Sequence, residues 1–342
     1  MFQWKLQFWL SKILSNDTSV SYTARIFGLL LALSFGALVM GLIMRRKWLS
    51  RSALGLGVSV AFVWGILYAT RPAWLRIALQ ENVPVPVSSE LRWKMRSPGL
   101  ETAELELRVK DEVVDHMVLV RLDPQLYRFS VHWDTTATRK AEDWQRELGA
   151  AVVVNGSYFG GPDHAPLTPL RLSGKPAGPT SYQSTHGAFV ADAGRVEILD
   201  LKNKDVFQTI NVYPEAMVSY PLLIDANGEN RAIESKVWLA SRNFVGLDHD
   251  GRVILGTTET GFFTLRRLGD FLKQSPLNLR TALNFDGGPL VSQVVRAGDF
   301  KREFHGTAEM TDGGDVLRAF WHAHFESTWT LPVVLVATPV GP

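Results

Sequence analysis

Two segments about 130 residues apart each drive an apolar run straight into a glycine turn. The first is Ala151-Val152-Val153-Val154-Asn155-Gly156-Ser157-Tyr158-Phe159-Gly160-Gly161, the second Ala282-Leu283-Asn284-Phe285-Asp286-Gly287-Gly288. Short aliphatic runs closed by glycine are the pattern of buried strands, whose backbone is fixed before it turns. Glycine permits positive φ and close approach, and the Asn or Asp at each strand end projects where the chain leaves the sheet. Asn-Gly and Asp-Gly are also ordinary turn pairs, so each segment alone reads equally as an Asx-stabilised turn.

The residues around these segments predict the scaffold. Leu105, Leu107 and Val109 alternate with Glu104, Glu106, Arg108 and Lys110, the period of a strand with one wet face. Val118 to Leu122 and Tyr127 to His132 are two more strands, parted by the Asp123-Pro124 turn. Ala141, Trp144 and Leu148 then recur at helical spacing up to Gly149, predicting a helix over 138–148. Phe244 to Leu247, Asp250-Gly251 and Val253 to Leu255 read as a hairpin. Thr264 caps a helix carrying Leu265, Leu268, Phe271 and Leu272, which runs into the strand ending at Asp286. Two helix-to-strand crossovers among many strands predict an α+β fold, a mixed β-sheet covered by helices.

The N-terminal part has a different composition. Ile26 to Met44 and Ala53 to Thr70 are uncharged and about as long as a bilayer core is thick. Arg45, Arg46, Lys47 and Arg51 lie between them, which predicts a two-helix transmembrane hairpin with a cytoplasmic connector. The expected organisation is an interfacial segment at 1–25, the hairpin at 26–70, a juxtamembrane linker at 71–100 containing Pro84 and Pro86, and a globular domain at 101–342. The expected location is the inner membrane, with the large C-terminal domain on the periplasmic or extracellular side and the lipid bilayer as a partner.

Charge and cysteine content exclude whole classes. Residues 1–70 hold seven Lys or Arg against one acidic residue, leaving 29 basic and 33 acidic residues in the remainder. That mildly acidic globular part has no electrostatic footprint for nucleic acid. With no cysteine, thiol catalysis, disulfides and Cys-based metal sites are absent. Gly-x-Ser-x-Gly, Walker and dinucleotide-binding patterns are missing too.

The remaining candidates are carboxylates, amides and an arginine at strand ends. Asn155 and Asp286 are expected to face one cleft, because ligands collect where strands of such sheets end. Arg242, opening the hairpin strand, is suited to two-point recognition of phosphate, although most arginines are surface charges. Glu259 and Asp286 would form the carboxylate pair that glycosyl transfer to water requires, although Glu259 equally suits a helix dipole. His186 sits in a loop near the expected cleft, placed to bind substrate hydroxyls. His322, His324 and Glu326 alternate on one strand face and could hold a divalent ion, but a wet strand face explains them, so neither a metal nor a cofactor is expected.

In order along the chain, Asn155-Gly156-Ser157-Tyr158-Phe159, Ser219-Tyr220-Pro221, Arg242-Asn243-Phe244-Val245-Gly246, Gly261-Phe262-Phe263-Thr264 and Asn284-Phe285-Asp286-Gly287-Gly288 resemble the phosphodiester glycosidase domain family over roughly 100–300. By position, that family's Asn, Arg and Asp fall on Asn155, Arg242 and Asp286, with Glu259 in the acidic stretch before the helix. Ser157 replaces a glycine, Asn243 a threonine, and Pro289-Leu290-Val291 displaces serines, leaving Ser292 nearby. The resemblance implies a hydrolase cleaving a sugar-1-phosphodiester or related glycosidic bond, here in a cell-envelope glycan. Asp286 and Glu259 would divide acid and base duties, and Asn155, Arg242, Gly287, Gly288, Asn284 and His186 would bind the carbohydrate phosphodiester. The alternative is a catalytically decayed glycan-binding module using the same cleft.

Overall fold

The structure, a computed structural model, describes residues 54–62, 72–161, 163–183, 186–233, 238–310 and 329–341. The expected span at 26–44, most of that at 53–70, and His322, His324 and Glu326 lie outside these residues. Residues 54–62 are helical, and among the described residues no helix is long and apolar enough to cross a membrane.

The α+β expectation is overturned. Among the described residues the protein is mostly β, 43% strand against 16% helix, and every ladder between strands is antiparallel. The reason lies in the crossovers. A helix between two strands makes them parallel neighbours only if nothing enters between them. The helix Ala141–Leu148 links Tyr127–Trp133 to Val152–Asn155, but the C-terminal strand Val333–Pro339 inserts between these two. The helix Leu265–Gln274 links Val253–Thr258 to Leu279–Asn284, and Asn243–Asp248 lies between them.

Among the described residues three large sheets are accompanied by two two-stranded ones, Leu239–Ala240 with Glu309–Met310 and Phe159–Gly160 with Ala165–Pro166. The first runs from Val87–Ser88 through Leu100–Val109, Glu112–Leu122, Val253–Thr258, Asn243–Asp248 and Leu279–Asn284 to Leu222–Ile224. The second orders Lys175–Ala177, Leu170–Leu172, Glu215–Ser219, Gly187–Asp192 and Arg195–Asp200. The third orders Phe300–His305, Ser292–Ala297, Val152–Asn155, Val333–Pro339 and Tyr127–Trp133. Their inner faces meet in one core containing Val120, Val245 and Leu283 of the first sheet, Phe189 and Met217 of the second, and Phe129, Val154 and Leu335 of the third. Strands buried on both faces lose the period-two signal: all residues of Val152–Asn155, Asn243–Asp248 and Val253–Thr258 are buried.

The helices cover outer faces. Ala141 and Trp144 pack on the third sheet, and Val206 and Ile210 of the short helix Val206–Ile210 on the second. Leu268, Phe271 and Leu272 cover the first, together with Leu75 of the helix Ala73–Ala78. The stretch expected as an extended linker therefore contains a buried helix and two short strands, Val87–Ser88 and Lys94–Ser97, that join the first sheet. Local chemistry sets the helix ends as the spacing predicts: Gly149 closes its helix in the left-handed conformation at φ 59°, and the Thr264 hydroxyl accepts from the Arg267 amide at 3.1 Å.

Candidate active site

One end of each sheet contributes to a single cleft. In the first sheet Asn243 lies opposite Thr257 and Phe244 opposite Asn284, so the chain beyond Asn284 leaves at that edge. The third sheet brings Asn155, the last residue of its strand. In the second, Gly187 pairs with Ser219, which sets His186 and Tyr220 side by side with their rings 5.3 Å apart.

Asn155 and Asp286 are brought together. The Asp286 amide donates to the Gly156 carbonyl at 2.9 Å, and Asn155 Nδ2 donates to the Asp286 carbonyl at 2.8 Å. Asn155 Oδ1 accepts from Asn243 Nδ2 at 2.9 Å and from the Ser292 amide at 3.0 Å, so both sides of a buried amide are tied to protein. The network continues inward: Thr257 Oγ1 donates to Asn243 Oδ1, Gln293 Nε2 donates to Thr257 Oγ1, and Arg302 Nη2 donates to Gln293 Oε1 at 2.7 Å. Asn155 therefore locks the Asp286 loop, and its hydrogen-bonding groups face protein. Ser157 likewise points inward, accepting from Thr168 Oγ1 at 3.0 Å.

Asp286 is the electrostatic centre. Burial pushes its carboxyl up to about 7, the Gly287 amide at 2.9 Å opposes this, the negative Glu309 adds to it and Arg242 counters. Arg242 is itself buried, which lowers its pKa to about 10 and still leaves it cationic at neutral pH. Its Nε donates to the Phe263 carbonyl at 3.0 Å and Nη2 to the Trp238 carbonyl at 2.9 Å. Its Nε–Nη2 edge is thus taken up by protein. Nη1 lies under Gly287, 3.3 Å from where a Cβ would stand.

The two glycines make room for charged neighbours. A Cβ on Gly288 would meet Glu309 Oε2 at 2.9 Å, and the backbone there has φ +76°, where a side chain is strained. Glu309 is the carboxylate next to Asp286, and sequence reasoning missed it: it begins a two-residue strand, Glu309–Met310, with no periodicity or motif around it. The Glu259 side chain turns towards His116. Its carboxylate is about half exposed and sits 3.1 Å from His116 Nδ1, while its backbone carbonyl accepts from Ser241 Oγ at 2.7 Å and from the Thr307 amide at 2.9 Å.

An aromatic wall completes the cleft. Tyr158 and Tyr220 stack at 4.2 Å with planes 17° apart, and Asn284 Nδ2 donates to Tyr158 Oη at 2.8 Å and to the Tyr220 carbonyl at 3.1 Å. Burial, with Asp286 and Tyr220 nearby, raises Tyr158 well above the usual phenol value, so it stays a neutral hydroxyl. Both tyrosines stand inside the segments that carried the resemblance, although their type alone did not mark them as site residues. Beyond Tyr220, His186 opens onto a hollow of about 750 Å³ that Tyr182 and Lys204 also line. Burial and Arg231 lower the His186 pKa, so the imidazole is neutral at neutral pH. Among the described residues no group of three or more acidic or imidazole side chains is arranged to hold a metal ion.

Residues 148–317 match the phosphodiester glycosidase family. The match is to a phosphodiester glycosidase domain, over just under half of the chain. No curated protein matches it. Among solved structures, a hypothetical protein from Synechocystis is similar at 12% identity and a TM-score of 0.48, covering 73% of this chain. This chain spans 64% of that protein's length. The zebrafish N-acetylglucosamine-1-phosphodiester alpha-N-acetylglucosaminidase catalytic domain, auto-inhibited by its pro-peptide, is similar at 17% identity and a TM-score of 0.46, covering 76% of this chain and 85% of that one. The glycosidase domain does not close on itself within the matched residues: Glu112–Leu122 and Val333–Pro339, outside them, pair with Val253–Thr258 and Val152–Asn155, inside them.

Proposed function

We propose that this protein hydrolyses the bond between a sugar anomeric carbon and phosphate in a glycosyl phosphodiester. The observation that carries this is Asp286, a carboxyl held near pH 7 by burial between a buried cation, Arg242, and a second carboxylate, Glu309, at the foot of an aromatic wall. A carboxyl still protonated near neutrality can give its proton to the departing phosphate oxygen, while the second carboxylate supports attack at carbon. Water supplies the oxygen that ends on the sugar, and the leaving group is a phosphate monoester. Arg242 acts from beneath Gly287, its positive charge offsetting the charge that gathers on the leaving phosphate. Tyr220 and His186 supply a ring face and a polar group for the sugar, and Tyr158 and the buried Asn284 hold Tyr220 in place. An envelope glycan as substrate and a place at the membrane outside the cytoplasm belong to this reading, supported by the uncharged stretch 26–44 and the cations that follow it.

Hydrolysis of p-nitrophenyl N-acetylglucosamine-1-phosphate diester by the full chain in ¹⁸O-labelled water tests the proposal. Label in the sugar hydroxyl, with loss of turnover in Asp286→Asn, is the expected result. Label in the phosphate would identify a phosphodiesterase instead, and sugar binding without turnover would favour a binding module.

A further inference from the structure

Trp238 stands at the lip of the cleft with its side chain half in solvent, at 51% exposure. Single exposed aromatic residues are ordinary and need no explanation. Trp238 differs in being held at both ends by the charged groups of the site. Its indole Nε1 donates to Glu309 Oε1 at 3.0 Å, and its carbonyl accepts from Arg242 Nη2 at 2.9 Å. The next two residues are fixed as well, since Leu239–Ala240 pairs with Glu309–Met310 through Leu239 opposite Met310 and Ala240 opposite Glu309.

A ring anchored in this way has lost its rotamer freedom without gaining the burial that normally offsets such a loss. What remains is a flat, preorganised apolar face beside two carboxylates. A pyranose of the gluco type has matching surfaces, because its axial C–H bonds stand above and below the ring and carry the partial positive charge that an aromatic face attracts. Its equatorial hydroxyls, spread around the rim, would meet polar groups.

We infer that Trp238 is a sugar-stacking platform, taking the apolar face of the pyranose whose anomeric carbon lies at Asp286, with the indole N–H to Glu309 keeping the ring in place. The inference rests on the hydrolytic reading for the position of the anomeric carbon, but it concerns binding and is tested without turnover. The probe is N-acetylglucosamine 1-phosphate, titrated calorimetrically into the full chain.

Trp238→Ala should weaken binding roughly tenfold, in line with the loss of one well-placed aromatic contact. Trp238→Phe keeps a stacking face and should bind within about threefold of the native chain by the same measure. Native-like circular dichroism of both variants secures the comparison, and the Phe variant keeps it decisive if the Ala variant fails to fold. Equal weakening by Phe and Ala, unchanged binding by Ala, or no binding of the probe by the native chain would each overturn the platform. Should the native chain bind the probe in a Trp238-dependent way yet leave the diester intact, the hydrolytic reading fails and the platform stands.

Discussion

The side chain of Asn155 donates to the backbone carbonyl of Asp286 at 2.8 Å, across 131 positions of sequence. Through this bond the end of a strand in the third sheet positions a loop that leaves the first. Removing it as Asn155→Ala would strand the Ser292 N–H and the Asp286 carbonyl and leave the Asn243 amide only its 3.0 Å bond to the Asn155 backbone carbonyl. A loss of about 2–3 kcal/mol in urea denaturation is expected, together with a fall in kcat, because the Asp286 loop is no longer held.

Asp286→Asn removes the carboxyl of the site that is poised near neutrality. Turnover should fall by about 10²–10⁴, the usual contribution of a positioned acid. In the native chain the rate should decline as pH rises through about 7, where Asp286 gives up its proton. A pH–rate profile flat between 6 and 8 would remove Asp286 from the role of acid.

Glu309→Gln distinguishes the two candidate partner carboxylates. Its negative charge raises the Asp286 pKa, so its neutral replacement should move the descending limb of the pH–rate profile to lower pH as well as slow the reaction. Glu259→Gln breaks only a half-exposed contact with His116 and should leave the limb where it is. Measured side by side, the two profiles assign the second carboxylate.

Asp115 is fully buried, and burial pushes its carboxyl up to about 8 even though its Oδ1 accepts from the amides of His116, Glu259 and Thr260. A carboxyl held above its unfolded value keeps a proton that the unfolded chain gives up near pH 4. The contribution is therefore complete in acid and is lost as pH rises from about 4 to about 8. Thermal midpoints of the native chain should fall over this range by a few degrees more than those of Asp115→Asn, since roughly 1 kcal/mol corresponds to 2–4 °C in a domain of this size. Parallel curves for the two proteins would refute the assignment.

Local sequence determined a good part of this protein. The hairpin around Asp250-Gly251, the helix stopped by Gly149, the helix started by Thr264 and the strand end at Asn155 all follow from nearest neighbours, because turn conformation and capping are settled within a few residues, whereas the strand expected to end at Asp286 stops two residues earlier, at Asn284. Tertiary structure alone decided the rest. Whether a crossover yields parallel neighbours depends on which distant strand inserts between its ends, and here Val333–Pro339 and Asn243–Asp248 do so. The identity of the acid beside Asp286 was equally invisible, since Glu309 and Glu259 both follow short, unremarkable stretches. Only packing turned the first against Gly288 and the second towards His116. Side-chain direction and desolvation are properties of a folded neighbourhood, and no window of sequence contains them.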